Sequence, residues 1–223
     1  MTAPTFWPSS NSAPDPTFVA MACDWVNDPA QRLLGFIWAA YDNMCANPPV
    51  IDTRDLERSI TQLLEPRIND AMTGDEPYYI QHNSFERETM ALPPAQPPAY
   101  DLAFVLRADE RIMWPLEAKV LATPSTMAEY ERDVREQYLT CRYAPFSGSA
   151  AMLGYLLSGK AVDALDQIAK KLGCTLDAVE EFPSRPHRFS IHRRIVPMGR
   201  NYPLDFECHH LILEYLGVMR HRS

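Results

Sequence analysis

Between Tyr100 and Leu121 two half-apolar runs rich in Leu, Val, Phe, Ile and Met, YDLAFVL and RIMWPLEAKVL, lie on either side of Ala108-Asp109-Glu110. They predict two strands of a hairpin joined by a three-residue polar loop. Facing Arg107 with Arg111 across that loop sets Asp101 opposite Glu117. Strand side chains alternate between faces, so Asp101, Glu117 and Lys119 then share one face, and Leu102, Phe104, Leu106, Leu116, Ala118 and Val120 form an apolar layer on the other. A one-residue slip would move Asp101 to the wrong side. Pro115 cannot donate to a ladder and predicts a bulge or an unpaired edge at that point.

Helical periodicity appears on both sides of the hairpin. Asp28-Pro29 opens a helix with Leu33, Leu34, Ile37, Trp38 and Tyr41 at helical spacing, ending before Pro48-Pro49. A second helix over 53–72 carries Leu56, Ile60, Leu63, Leu64 and Ile68 on one stripe, with Pro66 as a kink or break. Glu57 lies at the edge of this stripe, where it points either into a cleft or to solvent. A short strand is expected around Tyr78 to Gln81, and ALPPAQPPA at 91–99 reads as an extended linker. After the hairpin, Thr126-x-x-Glu129 has the form of a capping box opening a helix that buries Met127, Tyr130, Val134 and Tyr138. SAAMLGYLL at 149–157 predicts a buried strand, and 160–172 a helix through Val162, Leu165, Ile168 and Leu172, stopped at Gly173. A short helix at 176–182 and strands at 187–196 and 206–215 complete the series. The order implies an α/β (α+β-like) fold with a mixed sheet flanked by helices, an extra N-terminal helix and added C-terminal strands.

Composition adds a Pro-rich arm over 1–27 ahead of a single domain over 28–223, with 20 prolines against 8 glycines in 223 residues. Five cysteines without a CxxC pair suggest neither a disulfide framework nor a zinc site, and point to a reducing, cytoplasmic setting. No apolar run is long enough for a membrane span. The net charge of −8 argues against broad adhesion to nucleic acid, but RPHRFSIHRRIVPMGR at 185–200 holds five arginines and no acid, and Arg220 and Arg222 lie near the chain end. Arg188, Arg193 and Arg194 in this stripe are candidates to grip a phosphate backbone; the alternative is a solvated strand edge. Histidines 192, 209 and 210 are expected as core or polar-contact residues, because adjacent strand residues face opposite ways and do not readily share one ion.

Two carboxylates and a lysine on one strand face suit a particular chemistry. Neighbouring acids in a partly buried site repel unless a divalent cation neutralises them, and Mg²⁺ favours one or two such oxygens plus water and phosphate. A lysine beside them can orient the attacking water or stabilise the transition state, so the implied reaction is phosphodiester hydrolysis. These pieces resemble the PD-(D/E)xK, restriction-endonuclease-like nucleases: Asp101 on one strand, Glu117-Ala118-Lys119 on the next, then a helix carrying Gln137 and Tyr138. Ala99-Tyr100 stands before Asp101 where the family motif has a proline, with Pro97 and Pro98 close by. The resemblance spans about residues 53–157 and implies a Mg²⁺ (or Mn²⁺) held by Asp101, Glu117 and the Ala118 carbonyl, with Glu57 as accessory ligand and Lys119 acting on the water. Gln137 and Arg142 either reach the phosphate or orient a carboxylate, or simply end a helix. The resemblance further implies DNA as substrate, a role in bacterial phage defence or restriction, and a protein partner or homo-oligomer. Two rivals are a catalytically inactive nuclease-fold subunit of a larger nucleic-acid-processing complex, and an acidic protein that mimics DNA charge.

Overall fold

In a computed structural model, residues 30–89 and 97–216 are described. The expected arm over 1–27, the Asp28-Pro29 helix start, most of the proline linker, Arg220 and Arg222 lie outside the described residues. Seven strands form one sheet in the order β1-β2-β3-β4-β7-β6-β5: β1 (Tyr78–Phe85), β2 (Ala99–Leu106), β3 (Met113–Val120), β4 (Ser149–Leu156), β5 (Asp177–Ala178), β6 (His187–Arg193) and β7 (Asp205–Glu214). β3, β4 and β7 run parallel to one another, and the pairs on either flank are antiparallel. The expected α/β class, a mixed sheet flanked by helices, therefore holds. Among the described residues no helix is long and apolar enough to cross a membrane.

Helices cover both faces. On one side α1 (Ala30–Ala46) and α2 (Leu56–Ala71) bring Leu33, Ile37, Trp38, Ile60, Leu64 and Ile68 onto Leu102, Phe104, Trp114, Leu116 and Ala118 of the hairpin. The apolar layer expected on β2 and β3 is thus the floor of this core, with Val120 only half buried at its margin. Tyr41 of α1 fastens the layer to the end of β7: its hydroxyl donates to the Glu214 carbonyl and accepts from the Glu214 N–H, both at 3.0 Å. α2 is N-capped by Asp55 and runs on through Pro66 without interruption. On the opposite face lie α3 (Pro124–Arg132), which continues as a π-helical turn (Asp133–Tyr138), and α4 (Ala161–Leu172), closed by Gly173 in the left-handed conformation. Met127, Tyr130, Val134, Leu165 and Ile168 fill that second core against Ala150, Met152 and Cys208.

Four local expectations change. The helix after the hairpin starts three residues earlier, capped by Thr123, with Pro124 at its start where no donor is needed and Thr126 closing the reciprocal box. The hairpin strands stop at Leu106 and start again at Met113, so Arg107 does not face Arg111 in the ladder. Arg111 turns back onto Asp109 at 2.6 Å instead. Val162 is exposed at 58% on the outer side of α4. Residues 176–182 form the short β5 and tight turns, closed by Phe182 N–H to Val179 O and Arg185 N–H to Phe182 O, with Pro183 unable to extend a helix.

Candidate active site

The β2–β3 register pairs Leu102 with Leu116, Ala103 with Pro115, Phe104 with Trp114 and Val105 with Met113. This is the register expected from the hydrophobic pattern, and one further step along it sets Asp101 beside Glu117. Pro115 forms no bulge. It sits just before the β3–β4 pairing, which begins at Leu116, so its missing N–H falls where one neighbour is not yet in register.

Past Leu116 the pairing of β3 with β2 ends while its pairing with β4 continues to Val120. The open side of β3 is closed by two carboxylates. Asp101 Oδ2 accepts from the Ala118 N–H at 2.8 Å, and Glu57 Oε2, from the first turn of α2, accepts from the Val120 N–H at 3.1 Å. Both acids therefore stand in for strand partners at the C-terminal end of β3, where α/β sheets generally bind ligands. Glu57 turns towards Val120 and Lys119 while keeping 35% of its side chain exposed.

Lys119 gathers the cluster. Its Nζ lies 2.7 Å from the Ala118 carbonyl, 3.1 Å from Glu117 Oε1, 3.3 Å from Asp133 Oδ2 and 3.5 Å from Glu57 Oε1. Burial alone would pull the Lys119 ammonium down, but Glu117, Glu57, Asp101 and Asp133 together hold it above its ordinary range, so it is a charged donor. Burial raises Glu117 well above the usual carboxylate range, with Asp101 adding to the effect and Lys119 opposing it. Glu57 and Asp133 are also raised, chiefly by burial, and Lys119 opposes that as well. Four carboxylates share a single ammonium, an excess of negative charge that favours uptake of either protons or a cation.

The carboxylate set also fits a divalent cation at one particular atom. Glu117 Oε2 is buried and has no hydrogen-bond partner, an arrangement that ordinarily costs about 1–3 kcal/mol unless something positive meets it. Among the described residues no three Asp, Glu, His or Cys side chains form a ready cage for an ion. The Lys119 ammonium occupies the position between Glu57, Glu117 and Asp133, so a cation would engage the Asp101–Glu117 side of the cluster.

Compared with protein-family models, curated proteins and solved structures, the chain matches none of them. The assignment of chemistry therefore rests on this geometry.

Asp133 was not among the residues expected from sequence. It sits on the π turn with Gln137, whose Oε1 is likewise buried and without a partner. The signal available was the spacing of Tyr130, Asp133 and Gln137, which follows the buried stripe of the helix and places Asp133 within reach of Lys119. Tyr143 follows. Its hydroxyl donates to the Ala99 carbonyl at 2.8 Å, and its ring meets Tyr100 edge-on at 4.9 Å. Burial, and after it the charges of Glu117, Asp133 and Asp101, raise its phenol, which places the ring beside the cluster.

The arginines divide. Arg194 is 3% exposed and donates to the carbonyls of Tyr138, Tyr143, Ala144 and Ser147 at 2.8–2.9 Å while lying over the Phe206 ring. It is a core residue, which corrects its expected place on a phosphate-gripping surface. Within the same stripe Arg185 pairs with Asp42 at 2.6 Å and Arg200 with Glu88 at 3.3 Å, so much of the stripe is structural. Arg188 is half buried and Arg193 exposed, both on β6, which β4 and β7 separate from β3 by about 14 Å at ordinary strand spacing. Arg142 is exposed in the loop that carries Tyr143. The structure thus brings Asp101, Glu117, Lys119 and Glu57 together, with Gln137 and Arg142 on the adjoining turn and loop, and leaves Arg188 and Arg193 at a distance.

The histidines are packing residues. His209 and His210 leave β7 on opposite faces, His209 towards His187 (its Nδ1 3.2 Å from His187 Nε2) and His210 between Tyr130 and Ser190 at 2.8 Å each. Burial first, then neighbouring imidazoles, pushes His187 down to about 2 and His210 down to about 3, so both stay neutral.

Directly beneath Asp101, the Tyr100 hydroxyl donates to Glu86 and accepts from the Ala144 N–H. Burial raises Glu86 to about 7 against an ordinary 4.5, with the Tyr100 hydrogen bond opposing that rise. A carboxyl with a raised folded-state value contributes full stability below 4.5 and loses it as pH rises through about 7. Glu86→Gln reproduces the protonated form, with its carbonyl able to accept from Glu88 N–H and its amide able to donate to Tyr100. Urea unfolding of wild type relative to this variant is expected to fall by about 3 kcal/mol between pH 4.5 and 8. A pH-independent difference would contradict the assignment.

Proposed function

We propose that this chain is a Mg²⁺-dependent (or Mn²⁺-dependent) nuclease with a restriction-endonuclease-like core that hydrolyses phosphodiester bonds in DNA, acting in the cytoplasm in phage defence or restriction. The observation that carries the reading is the carboxylate cluster at the end of β3, where Asp101 and Glu57 replace strand partners and the buried Glu117 Oε2 has no hydrogen-bond partner. Asp101, Glu117 and the Ala118 carbonyl would hold the cation, with Glu57 as accessory. When bound, the cation supplies charge neutralisation at the scissile phosphate. Lys119, kept protonated by its carboxylates, acts as a donor: it orients the attacking water and stabilises the negative oxygens of the transition state. Water adds to phosphorus, the bond to the leaving sugar oxygen breaks, and the proton that the water gives up is balanced through solvent by the one that this oxygen takes to end as a hydroxyl. Gln137 offers its buried carboxamide oxygen to hold a water or the amide of a neighbour.

The test is cleavage of linear, circular and single-stranded DNA with and without Mg²⁺ or Mn²⁺, comparing wild type with Asp101→Ala and Lys119→Ala. Cation-dependent cleavage lost in both variants is expected; equal activity in all three proteins would overturn the reading. The closed ion-pair cluster around Lys119 favours one rival, a nuclease-fold binding subunit without catalysis. The two differ in a thermal shift: at a hundredfold excess over its Kd the cation stabilises a true site by about 2.7 kcal/mol, and the rival shows no shift.

DNA engagement by an acidic protein is expected to rest on few contacts, with a partner subunit or second copy supplying others. Arg142→Ala and Arg193→Ala are each expected to weaken binding uniformly across sequences and to lower the salt slope by about 1. An unchanged slope in both would remove these residues from the interface.

A further inference from the structure

Lys119 has four acceptors, and three of them belong to groups assigned to the cation: Glu117 Oε1, the Ala118 carbonyl and Glu57 Oε1. Asp133 Oδ2, at 3.3 Å, comes from a different layer of the fold and has no place in that ligand set. It is buried, and it is carried at the start of the π turn that interrupts the helix between Arg132 and Leu139. Such turns persist where the wider spacing places a functional side chain. Here the i+5 bond from Leu139 N–H to the Val134 carbonyl at 3.0 Å closes the turn, and Asp133 and Val134 are both buried, one towards Lys119 and the other in the core.

We propose that Asp133 is a positioning residue that keeps the Lys119 ammonium aimed at the reacting phosphate once the remaining carboxylates are committed to the cation. This rests on the nuclease reading above. A cation drawing charge from Glu117, the Ala118 carbonyl and Glu57 would weaken the hold of those groups on Lys119, and without Asp133 the ammonium would be freer to swing along its four-carbon stem. With it, the ammonium keeps one charged acceptor outside the ligand set and needs no rearrangement when substrate arrives.

Asp133→Asn keeps the shape and removes the charge; Asp133→Glu restores the charge. Under single-turnover conditions with saturating Mg²⁺, Asp133→Asn is expected to cleave about 10²-fold more slowly, with the Mg²⁺ concentration for half-maximal rate and the Mg²⁺-induced rise in Tm unchanged, and Asp133→Glu to recover most of the loss. Hydrogen exchange of the Lys119 ammonium, followed by ¹H–¹⁵N NMR of the Mg²⁺-loaded protein, is expected to be several-fold faster in Asp133→Asn. Wild-type rates and exchange in Asp133→Asn would overturn the inference while leaving the nuclease reading intact. A rate loss that disappears on raising Mg²⁺ would overturn it in favour of a ligand role. A loss accounted for by a smaller folded fraction would reduce Asp133 to a structural group. Absence of cation-dependent cleavage by the wild type would instead strike the nuclease reading, and this inference with it.

Discussion

Lys119→Ala is expected to lose about 10²–10³-fold in cleavage rate and to destabilise the protein in a pH-dependent way. The ammonium is the shared counter-charge for Glu117, Asp133 and Glu57, at 3.1, 3.3 and 3.5 Å. Its removal leaves buried acids facing one another, the situation in which breaking an ion pair costs about 3–5 kcal/mol. The sign of the pH dependence follows from the acids. They can escape the repulsion by binding protons, so the deficit is smallest at low pH and grows as pH rises through their raised folded-state values. Urea unfolding at pH 5 and pH 8 measures it: a difference between wild type and variant that is larger at pH 8 supports the cluster, and an equal difference at both contradicts it. Saturating Mg²⁺ is expected to restore part of the stability of the variant without restoring its cleavage, because a cation can replace the charge but not the aimed donor.

Arg194→Lys is expected to cost on the order of 4 kcal/mol, although it keeps the charge. The guanidinium fork serves four main-chain carbonyls, those of Tyr138, Tyr143, Ala144 and Ser147, and its Cζ lies 4.2 Å from the Phe206 ring centre. A lysine has three donors on a point charge and can match neither the fork nor the stacking. The loop it holds is itself costly. Cys141 and Ala144 take positive φ values of 61° and 49°, and non-glycine residues pay about 1–2 kcal/mol each for the left-handed region. Arg194 on one side and the Tyr100 hydroxyl on the Ala144 N–H on the other keep this strained segment in place, and with it Tyr143 beside the acids. Denaturant unfolding checks the stability loss. Arg193→Ala, at an exposed position of the neighbouring strand, is expected to leave stability within about 0.5 kcal/mol of wild type. A reversed ranking would return Arg194 to the surface role first expected of it.

Hydrophobic patterning was sufficient for most of the architecture. The helical stripes of α1 and α2 follow from side chains whose burial repeats with the backbone, and the stop of α4 from Gly173, while β2 and β3, buried on both faces over most of their length, are marked as strands by their apolar content. Register was legible in part: a one-residue slip would divide Leu102, Phe104, Leu116 and Ala118 between the two faces, and the observed alignment also carries Asp101 to Glu117. The departures came where a single residue, not a period, decides. Thr123 with Pro124 outcompeted Thr126 as the helix cap, and Arg111 found Asp109 before it found a cross-strand partner.

By itself, then, the sequence determined that this chain builds a mixed α/β sheet and that the hairpin register carries Asp101 to Glu117, because those outcomes depend on the local apolar pattern. Only the tertiary structure decided what surrounds them. Glu57 enters from α2 because β2 leaves the Val120 N–H open, Asp133 reaches Lys119 from the other layer at the start of the π turn, and Arg194 is withdrawn from the surface because four carbonyls of a distant loop converge on it. Each of these joins segments far apart in the chain through a hydrogen-bond or charge requirement, and no repeating pattern along the sequence encodes such a requirement.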